Sequence, residues 1–276
     1  MKTIVTHIGP DLDAITSVWL IKTHMRGWKE AALAFVPAGE TLGGKPPDGN
    51  ADILHVDTGF GRFDHHQSNA DTCAALLVYE EIAHERGSAD KALERMLGLV
   101  NDVDHFREVF YPNPTADFWD FGITSQIDGW RLLYADNPIK LMELGMNALD
   151  GIYKTFQNKA WAQRELKEKG VEFDTSWGKG IGVLTSNDEV VHLGQKMGYA
   201  VVVRKDPKKG YLRIKTLPKD TIDLEQVYRK LLKAEPQATW FLHASHHMVL
   251  NGSSKNPNMR PTKKTLEEII AVLRAK

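Results

Sequence analysis

Residues 2–13, K-T-I-V-T-H-I-G-P-D-L-D, pass from an extended run into the start of a helix. Because β-branched residues favour extended backbone, the run at 2–8 predicts a buried strand, and the glycine–proline pair that follows ends it. The apolar sequence beyond this break predicts a helix at about 13–26. His7 therefore lies at the carboxyl end of a predicted strand, directly before a loop with two aspartates.

The same alternation continues through the first third of the chain. Further strands are predicted at 31–37 and 51–57, with a Gly- and Pro-rich loop at 40–50 between them, and helices at 71–86 and 89–100. Strands that alternate with helices predict a parallel α/β sheet. Because such sheets bind ligands beyond the carboxyl ends of their strands, the polar residues that follow the first and third strands can converge.

The second half of the chain predicts a different arrangement. A long helical segment is predicted at 138–169, and a hairpin is predicted around P-K-K-G further along. We therefore expect an α/β protein with an N-terminal parallel-sheet lobe, a helical connector and a smaller mixed-sheet C-terminal lobe. The predicted domains are an N-terminal α/β domain at 1–137, a helical connector at 138–175 and a C-terminal α/β domain at 176–276. The elements predicted after the long helix are a strand at 180–186, a helix at 187–198, hairpin strands at 199–207 and 211–217, a helix at 222–234, a strand pair at 238–243 and 248–252, and a helix at 264–275.

The composition, 42% hydrophobic and 26% charged, is typical of a globular protein. The single cysteine, Cys73, excludes an intramolecular disulfide, favours a reducing compartment and is predicted to be a small core residue. The N-terminal residues enter the first strand without a signal-peptide pattern, and no apolar run approaches the ~20 residues of a membrane span. We expect a cytoplasmic protein that does not associate with membranes.

The formal net charge is −1, but the two halves of the chain differ in charge. Residues 1–136 contain 21 Asp and Glu against 11 Lys and Arg, and residues 137–276 contain 15 against 24. Either both halves simply have solvated charged surfaces, or an acidic half binds cations while a basic half attracts phosphate. The small net charge argues against a protein that coats long duplex nucleic acid.

The loop after the first strand contains Asp11 and Asp13, two residues apart. Two carboxylates this close repel each other unless a cation lies between them. Alternatively, one of them caps the following helix, and Asp13 is the candidate for that role. A single histidine such as His7 is more often structural, so a metal site is indicated only by the three residues together.

Two further motifs follow the third strand. Asp57 occurs in V-D-T-G, where it is either a metal ligand or a turn residue before the glycine. Residues 64–66 read D-H-H. If His65 and His66 lie on a strand, they point to opposite faces, so one can bind a metal while the other faces a substrate. The alternative is a buried histidine pair.

The last acidic motif, N-D-V-D-H, offers Asp102 and Asp104, and the later Asp128 competes with both. We select Asp104 because its apolar neighbours predict the end of a helix or strand that points an acid inward. Carboxylates combined with imidazoles, without thiolates, suit divalent metals. The sequence therefore predicts a two-metal site for which Mn²⁺ is the leading ion, with Mg²⁺, Co²⁺ or Zn²⁺ as alternatives.

Taken together, H-I-G-P-D-L-D-A-I-T-S, V-D-T-G and D-H-H resemble the motifs of the DHH phosphoesterase superfamily. That superfamily includes family II pyrophosphatases, hydrolases of short oligonucleotides, RecJ-type single-strand exonucleases and cyclic-dinucleotide phosphodiesterases. The resemblance covers mainly residues 5–105. It implies a DHH-type first lobe that contains two metals and hydrolyses phosphoesters.

The metal ligands that the resemblance implies are His7, Asp11 and Asp57 for one ion, and Asp13, Asp57, His65 and Asp104 for the other. Asp57 would bridge the two ions, His66 would face the scissile phosphate, and Asp64 would orient a ligand by a hydrogen bond. Four carboxylates and two divalent ions make a nearly neutral cluster. Two ions about 3.5–4 Å apart can lower the pKa of a bridging water and hold both the attacking and the leaving oxygen.

The second half departs from the family pattern. It lacks the Gly-Gly-Gly-His run of many nucleolytic members and the Ser-Arg-Lys-Lys-Gln string of family II pyrophosphatases. In their place, residues 243–261 read H-A-S-H-H-M-V-L-N-G-S-S-K-N-P-N-M-R-P. Its backbone amides and cations could bind phosphate, or the segment could be an ordinary polar loop with histidines packed beneath it. The candidate substrate-binding residues are His243, His246, His247, Gly252, Ser253, Lys255 and Arg260.

We therefore expect a metal-dependent phosphoric ester hydrolase that cleaves phosphodiester bonds of short oligonucleotides or small nucleotides. Its partners would be a small phosphoester or a short single-stranded nucleic acid, and a homodimer is left open. An inorganic pyrophosphatase is the alternative enzyme. A regulatory protein that binds phosphoesters without cleaving them is the alternative from another class, and the intact ligand set argues against it.

Overall fold

The structure is a computed structural model that describes residues 1–253, 255–256 and 258–274. The chain divides into two compact units, Met1–Gln157 and Asn158–Lys276. Each unit has its own β-sheet and its own hydrophobic core. In the part of the chain that the structure describes, no helix combines the length and the apolar character needed to cross a bilayer.

The sheet of the first unit has three parallel strands in the order β2-β1-β3. These are β1 (Thr3–His7), β2 (Ala32–Val36) and β3 (Ile53–His55). The strand β1 is central and its β-branched residues Ile4 and Val5 are fully buried. Because the strands run in the same direction, their carboxyl ends share one edge of the sheet. This confirms the predicted parallel sheet.

Helices cover the strands of the first unit. They are α1 (Leu12–His24), α2 (Ala74–Arg86), α3 (Lys91–Asp104), α4 (Ile123–Leu133) and the long α5 (Pro138–Lys169), which extends into the second unit. The helix α1 is buried on nearly every side because its first ten residues are all buried. Helix α3 extends beyond its predicted end at residue 100, and α4 was not predicted.

The second unit contains a six-stranded mixed sheet in the order β4-β5-β6-β7-β9-β8, with β5 and β6 parallel and the other pairs antiparallel. The strands are β4 (Val171–Thr175), β5 (Gly178–Leu184), β6 (Val201–Lys205), β7 (Leu212–Thr216), β8 (Trp240–Leu242) and β9 (Met248–Asn251). The helices are α6 (Glu189–Lys196), α7 (Glu225–Ala234) and α8 (Leu266–Arg274). The predicted β6–β7 hairpin and the mixed sheet are confirmed.

One part of the predicted connector differs from the structure. The helical segment at 138–169 is confirmed, but residues 171–175 form β4, which pairs with β5. The reason is local, since Gly170 follows the helix and Phe173 of the next segment is buried in the second core. The boundary between the two units falls inside α5. The division into domains at 1–137, 138–175 and 176–276 stays a prediction.

Candidate metal centre

The carboxyl edge of the three-stranded sheet brings His7 close to Asp57. His7 is the last residue of β1, and Asp57 follows the neighbouring strand β3. The Nε2 atom of His7 lies 3.1 Å from Asp57 Oδ2 and 3.8 Å from Asp11 Oδ2. One ligand atom from each of the three residues lies within 4.8 Å of the others. These residues form the first candidate metal group.

A second group forms around His65. Its Nε2 atom lies 3.5 Å from Asp104 Oδ2 and 3.8 Å from Asp13 Oδ2. The same atom lies 3.7 Å from Asp57 Oδ1. The two oxygens of Asp57 therefore face different groups, Oδ2 towards His7 and Oδ1 towards His65. This is the geometry of a carboxylate shared between two cation sites.

Three ligand atoms of the second group are buried without a hydrogen-bond partner: Asp57 Oδ1, His65 Nε2 and Asp104 Oδ2. Such an atom costs about 1–3 kcal/mol when nothing satisfies it. Both carboxylate oxygens lie beside His65 Nε2, at 3.7 Å for Asp57 and 3.5 Å for Asp104, so a cation bound at that nitrogen would also give the oxygens a partner. The residues present therefore fit a divalent metal ion.

Protons partly offset the negative charge of this cluster. Burial disfavours the charged form of His7, but its hydrogen bond with Asp57 and the charge of Asp11 outweigh burial and raise its pKa to about 9. Contact with Asp57 and the charge of Asp104 raise the pKa of His65 to about 9 against the effect of burial. Burial and neighbouring carboxylates also raise the pKa of Asp13 well above its usual value. The cluster thus retains protons in the absence of metal cations.

The structure assigns the helix-capping role differently from our expectation. Asp11, and not Asp13, caps α1, because its Oδ1 accepts a hydrogen bond of 3.0 Å from Ala14 N. Asp13 lies in the first turn of α1 and accepts bonds of 2.8 Å from Ala74 N and Ala75 N at the start of α2. Both aspartates keep an oxygen directed at a histidine of the cluster. The same side chains therefore position two helix ends and the candidate site.

The D-H-H segment is a turn, and the expectation that its histidines point to opposite faces is wrong. The rings of His65 and His66 lie 4.3 Å apart with a 41° tilt. The buried Asp64 curls the segment, because it accepts hydrogen bonds from Phe60 N at 2.7 Å and His66 N at 3.1 Å. Its Oδ1 also lies 2.7 Å from His66 Nδ1. The side chain of His66 is 56% exposed, so Asp64 orients a ring that is open to solvent.

The backbone at Asp57 is unusual. Its φ angle is 54°, in the left-handed region, which aspartate tolerates better than most non-glycine residues. The Asp57 N–H donates to Phe63 O at 3.0 Å, which fixes the turn before the D-H-H segment. Strained backbone of this kind concentrates at functional sites, and here it lies at the carboxylate that both groups share.

The three competing acids of the last motif have different partners. Asp102 accepts hydrogen bonds from Arg107 Nε at 2.9 Å and Tyr111 Oη at 3.0 Å. Asp128 accepts from Arg131 Nη1 at 3.0 Å. Asp104, at the end of α3, points into the cluster beside His65. The geometry therefore favours Asp104, as selected from the sequence.

A cavity of about 620 Å³ opens onto the cluster. Apart from Asp128, sequence reasoning missed the residues of α4 and its approach that line it, because they belong to no recognisable motif. Arg131 is the most informative of them, since its Nη2 donates to Gly9 O at 3.3 Å and its buried Nε has no hydrogen-bond partner. The lining residues outside the candidate ligand set include Phe106, Glu108, Thr124, Ile127, Asp128 and Arg131.

The structure does not bring the substrate-binding candidates of the second unit to one place. His243, His246 and His247 lie in the turn before β9, whereas Gly252 and Ser253 follow the strand at its other end. The Nδ1 atom of His246 lies 3.1 Å from Asp223 Oδ1, and that of His247 lies 3.3 Å from Thr216 Oγ1. These contacts tie His246 and His247 to neighbouring residues of the second unit.

The other four candidates of the second unit do not share one environment. Gly252 has φ 84°, and a Cβ atom there would collide with the ring of Tyr211, so this glycine is required for packing. Lys255 and Arg260 are exposed. Ser253 lines a cavity of about 320 Å³ that sequence reasoning missed, although the R-K-D-P-K-K-G run signals it. Its cationic lining residues are Arg204, Lys208, Lys209 and Arg213.

Comparisons with known proteins were made by sequence and by structure. No family model and no curated protein matches the chain. A pGpG-specific phosphodiesterase, PggH from Vibrio cholerae, is similar at 15% identity, with 92% of this chain and 94% of that chain covered and a TM-score of 0.36. RecJ of Thermus thermophilus with Mg²⁺ is similar at 13% identity over 99% of this chain and 49% of that chain, with a TM-score of 0.33.

A third similar structure is described as the DHH domain of a member of the s1p family of ribosomal proteins. It is 12% identical, with 100% of this chain and 87% of that chain covered and a TM-score of 0.34. These identities and TM-scores are low.

Proposed function

We propose that this chain is a DHH-type, two-metal-dependent phosphoesterase of the cytoplasm that hydrolyses phosphodiester bonds of short oligonucleotides or small nucleotides. The observation that carries the proposal is the position of Asp57, with one oxygen 3.1 Å from His7 and the other 3.7 Å from His65. A carboxylate placed between two groups of hard ligands is the arrangement that a two-metal hydrolase needs.

We propose Mn²⁺ as the activating ion, and the carboxylate oxygens and imidazole nitrogens of both groups are compatible with it. In this proposal, His7, Asp11 and Asp57 hold one ion. The other ion would be held by Asp13, Asp57, His65 and Asp104. Together, two divalent ions would neutralise the carboxylates and stabilise negative charge on the phosphoryl oxygens.

The remaining residues of the cavity bind and orient the phosphoester. His66 is exposed and is held through Nδ1 by Asp64, so its Nε2 is open to the substrate, where it accepts a proton in the neutral ring and donates one to a phosphoryl or leaving oxygen in the imidazolium form. Arg131 lines the same cavity and offers a guanidinium to a phosphate. Since Asp64 accepts from two backbone amides, it cannot move without disturbing the turn that carries both histidines.

Binding of the remote parts of the substrate is proposed for the second unit. The basic charge of this half and the exposed Lys255 and Arg260 support that role. Selection among phosphoesters requires contacts away from the scissile bond. Alanine at both Lys255 and Arg260 should therefore raise KM while the metal content stays unchanged, and an unchanged KM would exclude this role.

The experiment that tests the proposal is a substrate panel with Mn²⁺. Inorganic pyrophosphate, 5′-labelled dinucleotides, cyclic dinucleotides and single-stranded DNA would be incubated with the purified chain, with and without a chelator. We expect chelator-sensitive hydrolysis of dinucleotides. Hydrolysis of pyrophosphate alone would identify the alternative enzyme, and no hydrolysis of any member would contradict a phosphoesterase.

A further inference from the structure

A residue in the left-handed conformation follows two helices of the first unit, directly after α2 but one residue later after α3, whose capping residue is His105 with φ −96°. Helix α2 ends at Gly87, which has φ 65° and ψ 18°. Helix α3 ends two residues before Phe106, which has φ 57° and ψ 23°. Glycine is the usual residue in this left-handed position because a side chain strains the backbone there. The chain therefore places a bulky aromatic residue in the conformation that glycine adopts after the preceding helix.

Packing does not compensate for the strain at Phe106. The residue is 76% exposed, so its ring gains little from burial. The strained backbone destabilises the folded chain, and the exposed ring does not offset this cost through burial. Backbone strain that packing does not offset is found most often at functional sites.

The backbone that carries the ring lies close in sequence to a candidate metal ligand. Phe106 follows Asp104 by two residues and lines the same cavity of about 620 Å³ as Asp104 and His65. Its N–H donates to Val103 O at 3.0 Å, which ties the backbone to the last turn of α3. The next residue, Arg107, is held by Asp102 at 2.9 Å. The backbone that carries the ring is therefore held on both sides.

We propose that Phe106 is a stacking platform for a nucleobase of the substrate, an inference that rests on the proposed phosphoesterase function. Every nucleobase presents a π-face, so an aromatic ring binds bases with little sequence preference. Inorganic diphosphate has no group that uses such a ring. The inference narrows the substrate class to phosphodiesters that carry a base next to the scissile phosphate.

Binding of a dinucleotide analogue in which a methylene group replaces the scissile bridging oxygen, in the presence of Mn²⁺, tests this role separately from hydrolysis. Phe106→Gly and Phe106→Ala should weaken binding by about fivefold to a hundredfold, the effect of losing one base–aromatic contact. Phe106→Trp should retain affinity because it keeps an aromatic face. Phe110→Ala is the matched control, since Phe110 is 84% exposed in the same segment but does not line the cavity.

Two further measurements separate stacking from a structural role. An abasic analogue of the dinucleotide should bind equally to the wild type and all variants. Phe106→Gly should raise the melting temperature, because it removes backbone strain. Wild-type affinity in Phe106→Ala, or an equal loss for the abasic analogue, would overturn the inference. A chain that binds the dinucleotide through Phe106 without ever hydrolysing it would contradict the phosphoesterase and support the stacking role.

Discussion

Replacing His65 with alanine removes an imidazole that lies 3.5 to 3.8 Å from Asp104, Asp57 and Asp13. In the proposed site this ring is one of four protein ligands of the second ion. Loss of a residue that only supports a ligand typically costs 10–100-fold in metal affinity. Loss of His65 itself should therefore cost at least about 100-fold, or ~2.7 kcal/mol at 1.36 kcal/mol per tenfold.

His66 is the matched comparison because it belongs to the same turn. Its side chain is 56% exposed and its Nδ1 lies 2.7 Å from Asp64 Oδ1, although the ring also lies within 4.8 Å of ligand atoms of Asp57 and His65. His66→Ala should therefore keep its metal while kcat falls by about 10²–10⁴-fold, the usual contribution of a group that transfers or shares a proton. Competition with a fluorescent Mn²⁺ chelator measures the affinity, and assays at saturating Mn²⁺ give kcat.

Equal loss of metal in the two variants would refute this division of roles. The rings lie 4.3 Å apart, and His66 Nδ1 lies 3.8 Å from Asp57 Oδ1. Such a result would therefore mean that both histidines bind metal and that another group faces the substrate.

Two further predictions follow from the charges of the cluster. His7 and His65 have pKa values of about 9 without metal, and a metal must displace their protons, so Mn²⁺ affinity should rise with pH up to about 9. Calorimetry in buffers of different ionisation enthalpy would detect the released protons, and a pH-independent affinity would contradict the prediction. Asp104→Asn should weaken Mn²⁺ binding, whereas Asp102→Asn should not, because the Asp102 carboxylate is hydrogen-bonded to Arg107. Mass spectrometry would measure the Mn²⁺ content of both variants. An equal loss of Mn²⁺ in the two variants would argue against Asp104 as a ligand.

The convergence of the first motifs could be predicted from the sequence because parallel strands bring their carboxyl ends together. His7 ends one strand and Asp57 follows its neighbour, so their proximity follows from chain order alone. The position of Asp104 at the end of a helix was also accessible, because its apolar neighbours indicate such an end; its role as a metal ligand stays a prediction.

Other features depend on tertiary contacts that no local pattern encodes. Asp13 binds the start of α2, more than sixty residues away in sequence, so the alternative that it caps its own helix could not be excluded from the sequence. The side-by-side rings of His65 and His66 result from a turn that the buried Asp64 holds closed. The strain at Phe106 appears only when its φ angle is known.

The claim that Asp57 bridges two metal ions is tested most directly by the number of Mn²⁺ ions that the chain binds with and without this carboxylate. Calorimetric titration of the wild type should show two Mn²⁺ ions per chain. In Asp57→Asn both binding events should weaken, because each oxygen of Asp57 faces a different group, while circular dichroism stays that of the wild type. A wild type that binds fewer than two ions, or an Asp57→Asn variant that retains both at full affinity, would contradict a carboxylate-bridged two-metal site.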